Sequence, residues 1–71
     1  MSFPLLIKLD ITENELWQLM LAHGVSIDSC NRMRRQGIIF QKHVVHLFNV
    51  AMKRNLNLSY PDDFQDMSKF K

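Results

Sequence analysis

Residues 12–37 read TENELWQLMLAHGVSIDSCNRMRRQG, and this stretch decides the fold because it holds the start and stop signals of two successive helices. Thr12 and Glu15 have the spacing of a capping box, in which each side chain satisfies a free backbone amide of the first turn. Apolar residues then recur at helical spacing as far as Gly24, a residue type that tolerates the positive φ of a helix end. We therefore predict the first helix over residues 12–23.

The second helix is predicted over residues 26–36, between Ser26 and Gly37. Ser26 is a good N-cap because its hydroxyl can accept a hydrogen bond from a free amide, and Gly37 is a natural stop. The C-terminal half of this helix carries three cations, which the helix dipole favours there. They are Arg32, Arg34 and Arg35.

The third helix is predicted over residues 40–54 and is expected to be the main core-forming element. Its apolar positions follow helical spacing. They are Phe40, Val44, Leu47, Phe48 and Ala51, with Val45 and Met52 broadening the stripe. A polar stripe occupies another side of the same helix and consists of Lys42, His46, Asn49 and Lys53.

The two ends of the chain complete a mainly α fold. Residues 5–11, LLIKLDI, alternate in polarity, which is typical of a short β-strand with one buried face. Residues 59–71 show no regular pattern, and we predict an irregular tail that frays. The expected fold is a single domain, 1–71, with three helices, a short N-terminal strand and an irregular C-terminal tail.

Composition places the chain among small folded domains. It has 71 residues, of which 46% are apolar and 23% charged, so one globular domain is expected. Cys30 is the only cysteine, which excludes a disulfide within one chain and favours a cytoplasmic location. Lys8 and Asp10 interrupt the N-terminal apolar run, so we predict neither a signal peptide nor a membrane span.

Charge is distributed unevenly along the chain. Residues 1–28 carry one lysine against four acids, and residues 59–71 carry two lysines against three acids. Residues 29–58 contain no acid and six cations: Arg32, Arg34, Arg35, Lys42, Lys53 and Arg54. Such a basic segment favours a polyanion or an acidic protein surface as partner. The alternative is a solvated face that the acidic ends of the same chain neutralise.

The turn between the first two helices contains Gly24, Val25 and Ser26, and Cys30 and Met33 follow at inward spacing. With these residues, segment 16–39 resembles the helix-turn-helix of bacterial and phage DNA-binding proteins, including small phage excisionases and repressors. The resemblance implies a glycine turn, a hydroxyl residue that opens the recognition helix, and inward packing of Leu19, Val25, Cys30 and Met33.

The same resemblance implies the residues that would contact DNA, because the second helix of this motif lies in the major groove. The positions expected nearest the bases are Ser26, Ile27 and Asn31. The cations expected to hold phosphates are Arg32, Arg34, Arg35, Lys42 and Lys53. Asparagine can read adenine and arginine can read guanine through paired hydrogen bonds. The function predicted is a small DNA-binding protein that regulates transcription or recombination, and dimerisation is a further expectation.

A second DNA-binding hypothesis uses the predicted strand. A strand followed by two helices is similar to the ribbon-helix-helix repressors, which are obligate dimers that insert paired strands into the major groove. The outward face of the strand would then be Leu6, Lys8 and Asp10. Leucine and aspartate suit base reading poorly, so this hypothesis ranks below the helix-turn-helix.

The sequence contains no pattern that we interpret as a catalytic site, a metal site or a cofactor site, and we do not predict an enzyme. His43 and His46 are one turn apart, with His23 and Cys30 elsewhere, which is a weak zinc signal. The competing function is an adaptor or inhibitor that binds another protein, with Trp17, Phe40 and Phe48 at the interface. The aromatic residues nearer the C-terminus would add to it: Tyr60, Phe64 and Phe70.

Overall fold

The computed structural model describes residues 3–66, and this part of the chain is mainly helical. It contains the α-helices α1 (Pro4–Leu9), α2 (Glu13–Ala22), α3 (Ile27–Gln36) and α4 (Val45–Lys53). Two short 3₁₀-helices, Gln41–His43 and Asp62–Phe64, lie before and after α4. The described residues contain no sheet, and an isolated antiparallel bridge joins Ile38 to Gln65. No helix among them has the length and apolar character needed to cross a membrane.

The strand predicted over residues 5–11 is wrong, because α1 occupies this segment. Pro4 starts the helix, since its fixed φ suits the first helical turn. Leu5 and Leu9 are fully buried one turn apart, whereas Ile7 is 80% exposed. A strand would need a partner for its backbone groups, and a helix satisfies them within the segment. The pattern of apolar and polar residues fits either a strand or a helix. The described residues offer no partner strand for this segment, and the helix forms instead.

The two helices predicted from the capping signals are confirmed. Thr12 is the N-cap of α2, and both hydrogen bonds of its capping box with Glu15 are present. Ser26 is the N-cap of α3, and its hydroxyl accepts a hydrogen bond from the Ser29 amide. Gly37 ends α3 with φ 72°, in the left-handed region that glycine adopts without strain.

The helix predicted over residues 40–54 forms only in its second half. Gln41–His43 is a 3₁₀ turn, and α4 begins at Val45 without a side-chain cap. The central apolar positions Leu47 and Ala51 are buried as predicted. Val45 and Met52 are 52% and 72% exposed, so the prediction that they broaden the buried stripe is wrong. Each follows a stripe residue directly and is therefore rotated by about 100° from it around the helix.

The segment after α4 returns to the core rather than leaving it. Phe64 is fully buried, and its ring lies 5.4 Å from that of Phe48 and 5.6 Å from that of Tyr60 between centroids. The Ile39 amide donates a hydrogen bond of 2.9 Å to the Phe64 carbonyl. Residues 59–66 of the predicted tail are therefore part of the packed domain. Residues 67–71, including Phe70, lie outside the described residues.

Candidate nucleic-acid interface

The connection between α2 and α3 is a tight turn built on one glycine. His23 closes α2, and Gly24 follows with φ 88°, a value that side chains rarely adopt. The Val25 amide donates to the Met20 carbonyl at 3.1 Å, which folds the chain back against the end of α2. Ser26 then caps the start of α3.

The inner face of the α2–α3 pair forms part of the core. Three of the four positions expected to point inward are buried: Val25, Cys30 and Met33. The fourth, Leu19, is half-buried and packs against the same core. Leu16 and Met20 on α2 are fully buried beside them. Because its inner face is anchored in the core, α3 presents a fixed outer face.

The residues expected nearest to the bases lie at the start and middle of that outer face. Ile27, the first residue of α3, is 65% exposed, which is unusual for a large apolar side chain. Asn31 is exposed four residues later, on the same side of the helix. The Ser26 hydroxyl, by contrast, caps the helix by accepting from the Ser29 amide at 3.1 Å. Ser26 is exposed, but its hydroxyl is already engaged in capping α3.

Two of the predicted phosphate-binding arginines leave α3 in different directions. The guanidinium of Arg34 lies 5.3 Å from the ring centroid of Trp17 on α2, and it donates a hydrogen bond of 3.2 Å to Asn31. The guanidinium of Arg32 lies 5.6 Å from the ring centroid of Phe40, a residue that follows the turn at the end of α3. Both arginines remain exposed, and stacking restricts the positions that their charges can take.

The other cations of the basic segment are also exposed: Arg35, Lys42, Lys53 and Arg54. Lys42 lies two residues after Phe40, in the 3₁₀ turn before α4. Lys53 lies at the end of α4 next to Arg54, whose guanidinium donates to the Leu9 carbonyl. Lys42 and Lys53 both lie outside α3, before and at the end of α4 respectively.

Within residues 3–66, the ion pair formed by an acidic residue near the C-terminus uses a cation outside the basic segment. Asp63, only 7% exposed, pairs instead with Lys8 on α1 at 2.9 Å between Oδ2 and Nζ. No cation of residues 29–58 forms an ion pair with a carboxylate of the described chain.

The described residues do not bring metal-ligating side chains together. No group of three or more His, Cys, Asp or Glu side chains among them is placed to hold a metal ion. Burial raises the pKa of the Cys30 thiol, with the positive charge of Arg34 opposing that shift, so the thiol is protonated near neutral pH. The surface of residues 3–66 contains no ligand-sized pocket.

The aromatic residues expected at a protein interface belong mainly to the core. Trp17 is 4% exposed, packs edge-to-face on Phe3 and donates its indole N–H to Glu13 at 3.2 Å. Phe40 and Phe48 are half-buried against the same core. Tyr60 keeps 37% of its surface exposed. Trp17 therefore offers little surface to a partner and serves instead as the platform on which Arg34 lies.

Sequence reasoning missed two contacts that shape this surface. The hydrogen bond between Asn31 and Arg34 follows from their spacing of three residues on one helix, a signal that was present in the sequence. The stacking of Arg34 on Trp17 joins two helices, and no local pattern indicates it. Comparison with known proteins does not assign the chain, since no family model, curated protein or solved structure matches it.

Proposed function

We propose that the protein is a small DNA-binding regulatory protein that acts in transcription or recombination control, and that it uses α3 and the basic residues around it. The helix-turn-helix-like unit of α2 and α3 would place Ile27 and Asn31 at base edges in the major groove. Arg32, Arg34 and Arg35 would hold the flanking phosphates. The cytoplasm, where a lone thiol stays reduced, is the compartment that suits this proposal.

One observation supports the proposal most strongly. All six cations of residues 29–58 are exposed, and none is paired with a carboxylate of the described chain. Phosphate binding draws its free energy from such charges because each contact releases condensed counterions from DNA. The half-buried ion pair between Lys8 and Asp63 strengthens the case, since it engages an acid that could otherwise have neutralised the basic segment.

The arrangement of Arg34 adds a second argument. Trp17 holds one face of its guanidinium and Asn31 accepts from one edge, while the Arg34 side chain remains exposed. A guanidinium fixed in this way loses less conformational freedom when it binds a phosphate or a guanine. Asn31 is a direct neighbour in this pair, so contacts to a base and to the backbone would form together.

The test is fluorescence anisotropy with a random-sequence duplex, titrated at low and at physiological salt. Saturable binding is expected, with a dissociation constant of about 1–100 μM, the range of non-specific complexes. The logarithm of the binding constant should fall linearly with that of the salt concentration, with a slope of about −0.9 for each neutralised phosphate. Site selection from a random library would then identify the preferred sequence.

Two variants with the same change in net charge locate the surface. Arg35→Gln removes one positive charge from the outer face of α3, and Gln18→Glu adds one negative charge to the exposed face of α2. Arg35→Gln should reduce the salt slope by about one contact, and Gln18→Glu should leave it unchanged. Equal effects would mean that only overall charge matters and would contradict the assignment to α3.

Failure to bind the duplex at tens of micromolar and low salt would remove the DNA-binding proposal. The adaptor hypothesis would then take first place. Its interface would need to come from the apolar residues that are exposed rather than from Trp17. Ile7, Ile27 and Met52 are the most exposed of these, at 80%, 65% and 72%.

A further inference from the structure

We propose that Ile27 recognises the methyl group at C5 of a pyrimidine in the major groove of DNA, and that this contact contributes to the choice of sequence. The methyl group occurs in thymine and in 5-methylcytosine, and in thymine it is an apolar feature of the major-groove edge. The inference rests on the proposed DNA binding through α3. It goes beyond that proposal because it names the chemical group that one side chain of the helix reads.

Ile27 is an isolated apolar residue on the outer face of α3. Its side chain is 65% exposed, and of the large exposed apolar residues that the structure describes it alone belongs to this helix. Within α3 it therefore forms no contiguous apolar patch of the kind that marks the centre of a protein interface. A single methyl group needs only a small apolar contact, and one isoleucine side chain provides it.

The packing of α3 fixes the position of the Ile27 side chain. Cys30 and Met33 are buried in the core, three and six residues after Ile27. Because successive residues of a helix are rotated by about 100°, Ile27 lies beside this buried face rather than on it. Isoleucine is branched at Cβ, so within a helix its side chain has one strongly preferred rotamer. The exposed methyl groups of Ile27 therefore lose little conformational freedom when they contact a ligand.

Ile27 begins a row of three exposed side chains on one side of α3. Asn31 and Arg34 follow it at spacings of four and three residues, and the row contains no acid. It spans about 10 Å along the helix axis, which is the length of about three stacked base pairs. The row offers an apolar contact at one end and hydrogen-bond donors after it. This order suits the major-groove edge, where the thymine methyl group lies close to acceptor atoms of the bases.

The other side chains at the start of α3 are poor candidates for a base contact. The hydroxyl of Ser26 accepts from the Ser29 amide and donates to the Ser29 hydroxyl, both at 3.1 Å. Asp28 is exposed, but its negative charge is repelled by the phosphates that flank the groove. Ile27 therefore remains as the side chain of this turn that can approach a base without losing a hydrogen bond or opposing a charge.

The experiment measures the affinity of the full chain, by fluorescence anisotropy at low salt, for two pairs of short duplexes of alternating sequence. Thymine is replaced by uracil in the first pair, and cytosine by 5-methylcytosine in the second, so that only the C5 methyl group changes within a pair. The wild type should bind the methylated duplex about fourfold more tightly, the effect of burying one methyl group. Discrimination in the first pair alone would assign thymine, in the second alone 5-methylcytosine, and in both the methyl group on either base.

Variants assign the discrimination to one side chain. Ile27→Ala should bring the affinity ratio close to one and Ile27→Val should give an intermediate ratio, and neither change reaches the core because Ile27 is largely exposed. Ile7→Ala is the matched control, since it removes the same atoms from an 80% exposed isoleucine on α1 and should keep the wild-type ratio.

Two results would overturn the inference while the proposed DNA binding stands. One is a wild-type ratio near one in both pairs of duplexes, and the other is a ratio that Ile27→Ala leaves unchanged. Absence of binding to any of the four duplexes at tens of micromolar would remove the proposed function and this inference together.

Discussion

Replacing Phe64 by alanine tests whether the segment after α4 is part of the core. The side chain is fully buried against Phe48 and Tyr60. Truncating a buried phenylalanine costs about 3–5 kcal/mol, because burial is lost and a cavity remains. A chain of 71 residues has a free energy of unfolding of roughly 4–11 kcal/mol in total. Phe64→Ala should therefore remove about a quarter or more of the stability. If the wild-type stability is near the lower limit, the domain should unfold.

The assay is urea denaturation followed by the fluorescence of Trp17, the only tryptophan and itself a core residue. With a slope of about 1 kcal/mol per molar urea, the midpoint should fall by about 3 M or more. Tyr60→Ala is the matched control, because Tyr60 lies in the same segment but keeps 37% of its surface exposed. It should lose about 1 kcal/mol. A loss below about 1 kcal/mol in Phe64→Ala would refute the placement of Phe64 in the core.

Three further features are tested by substitution and urea denaturation: the cap of α2, the Lys8–Asp63 pair and the glycine turn. Thr12→Ala removes both hydrogen bonds of the capping box and should cost about 1 kcal/mol, and an unchanged midpoint would contradict the cap. Asp63→Ala leaves the Ser59 amide without its acceptor and should cost about 1–3 kcal/mol, whereas removing its half-exposed partner with Lys8→Ala should cost about 1 kcal/mol or less. Gly24→Ala meets no atom within 4 Å, so its cost of about 1–2 kcal/mol should come from the positive φ alone, and Gly24→Asn should restore part of it.

The predictions that the structure confirms depend on interactions between residues close in the chain. The caps at Thr12 and Ser26 satisfy backbone amides three residues away. Gly37 ends α3 in the left-handed conformation, which depends on the backbone of that residue alone. The apolar spacing around Leu47 and Ala51 depends on helix geometry alone. These signals are complete within a few residues, so they can be identified before any tertiary contact is known.

The predictions that failed or were missed depend on partners distant in the sequence. Residues 5–11 could form a strand or a helix, and the outcome depended on whether another strand was available to pair with them. Docking of Phe64 in the core and stacking of Arg34 on Trp17 also join separate elements.

The sequence by itself determined the two capped helices, the glycine turn between them and a basic segment without acids. Only the tertiary structure decided that Asp63 pairs with Lys8 rather than with that segment, and that His23 meets His46. The physical reason is that caps and helical spacing are local properties of the chain, whereas ion pairs and ring stacks depend on which elements the core brings together.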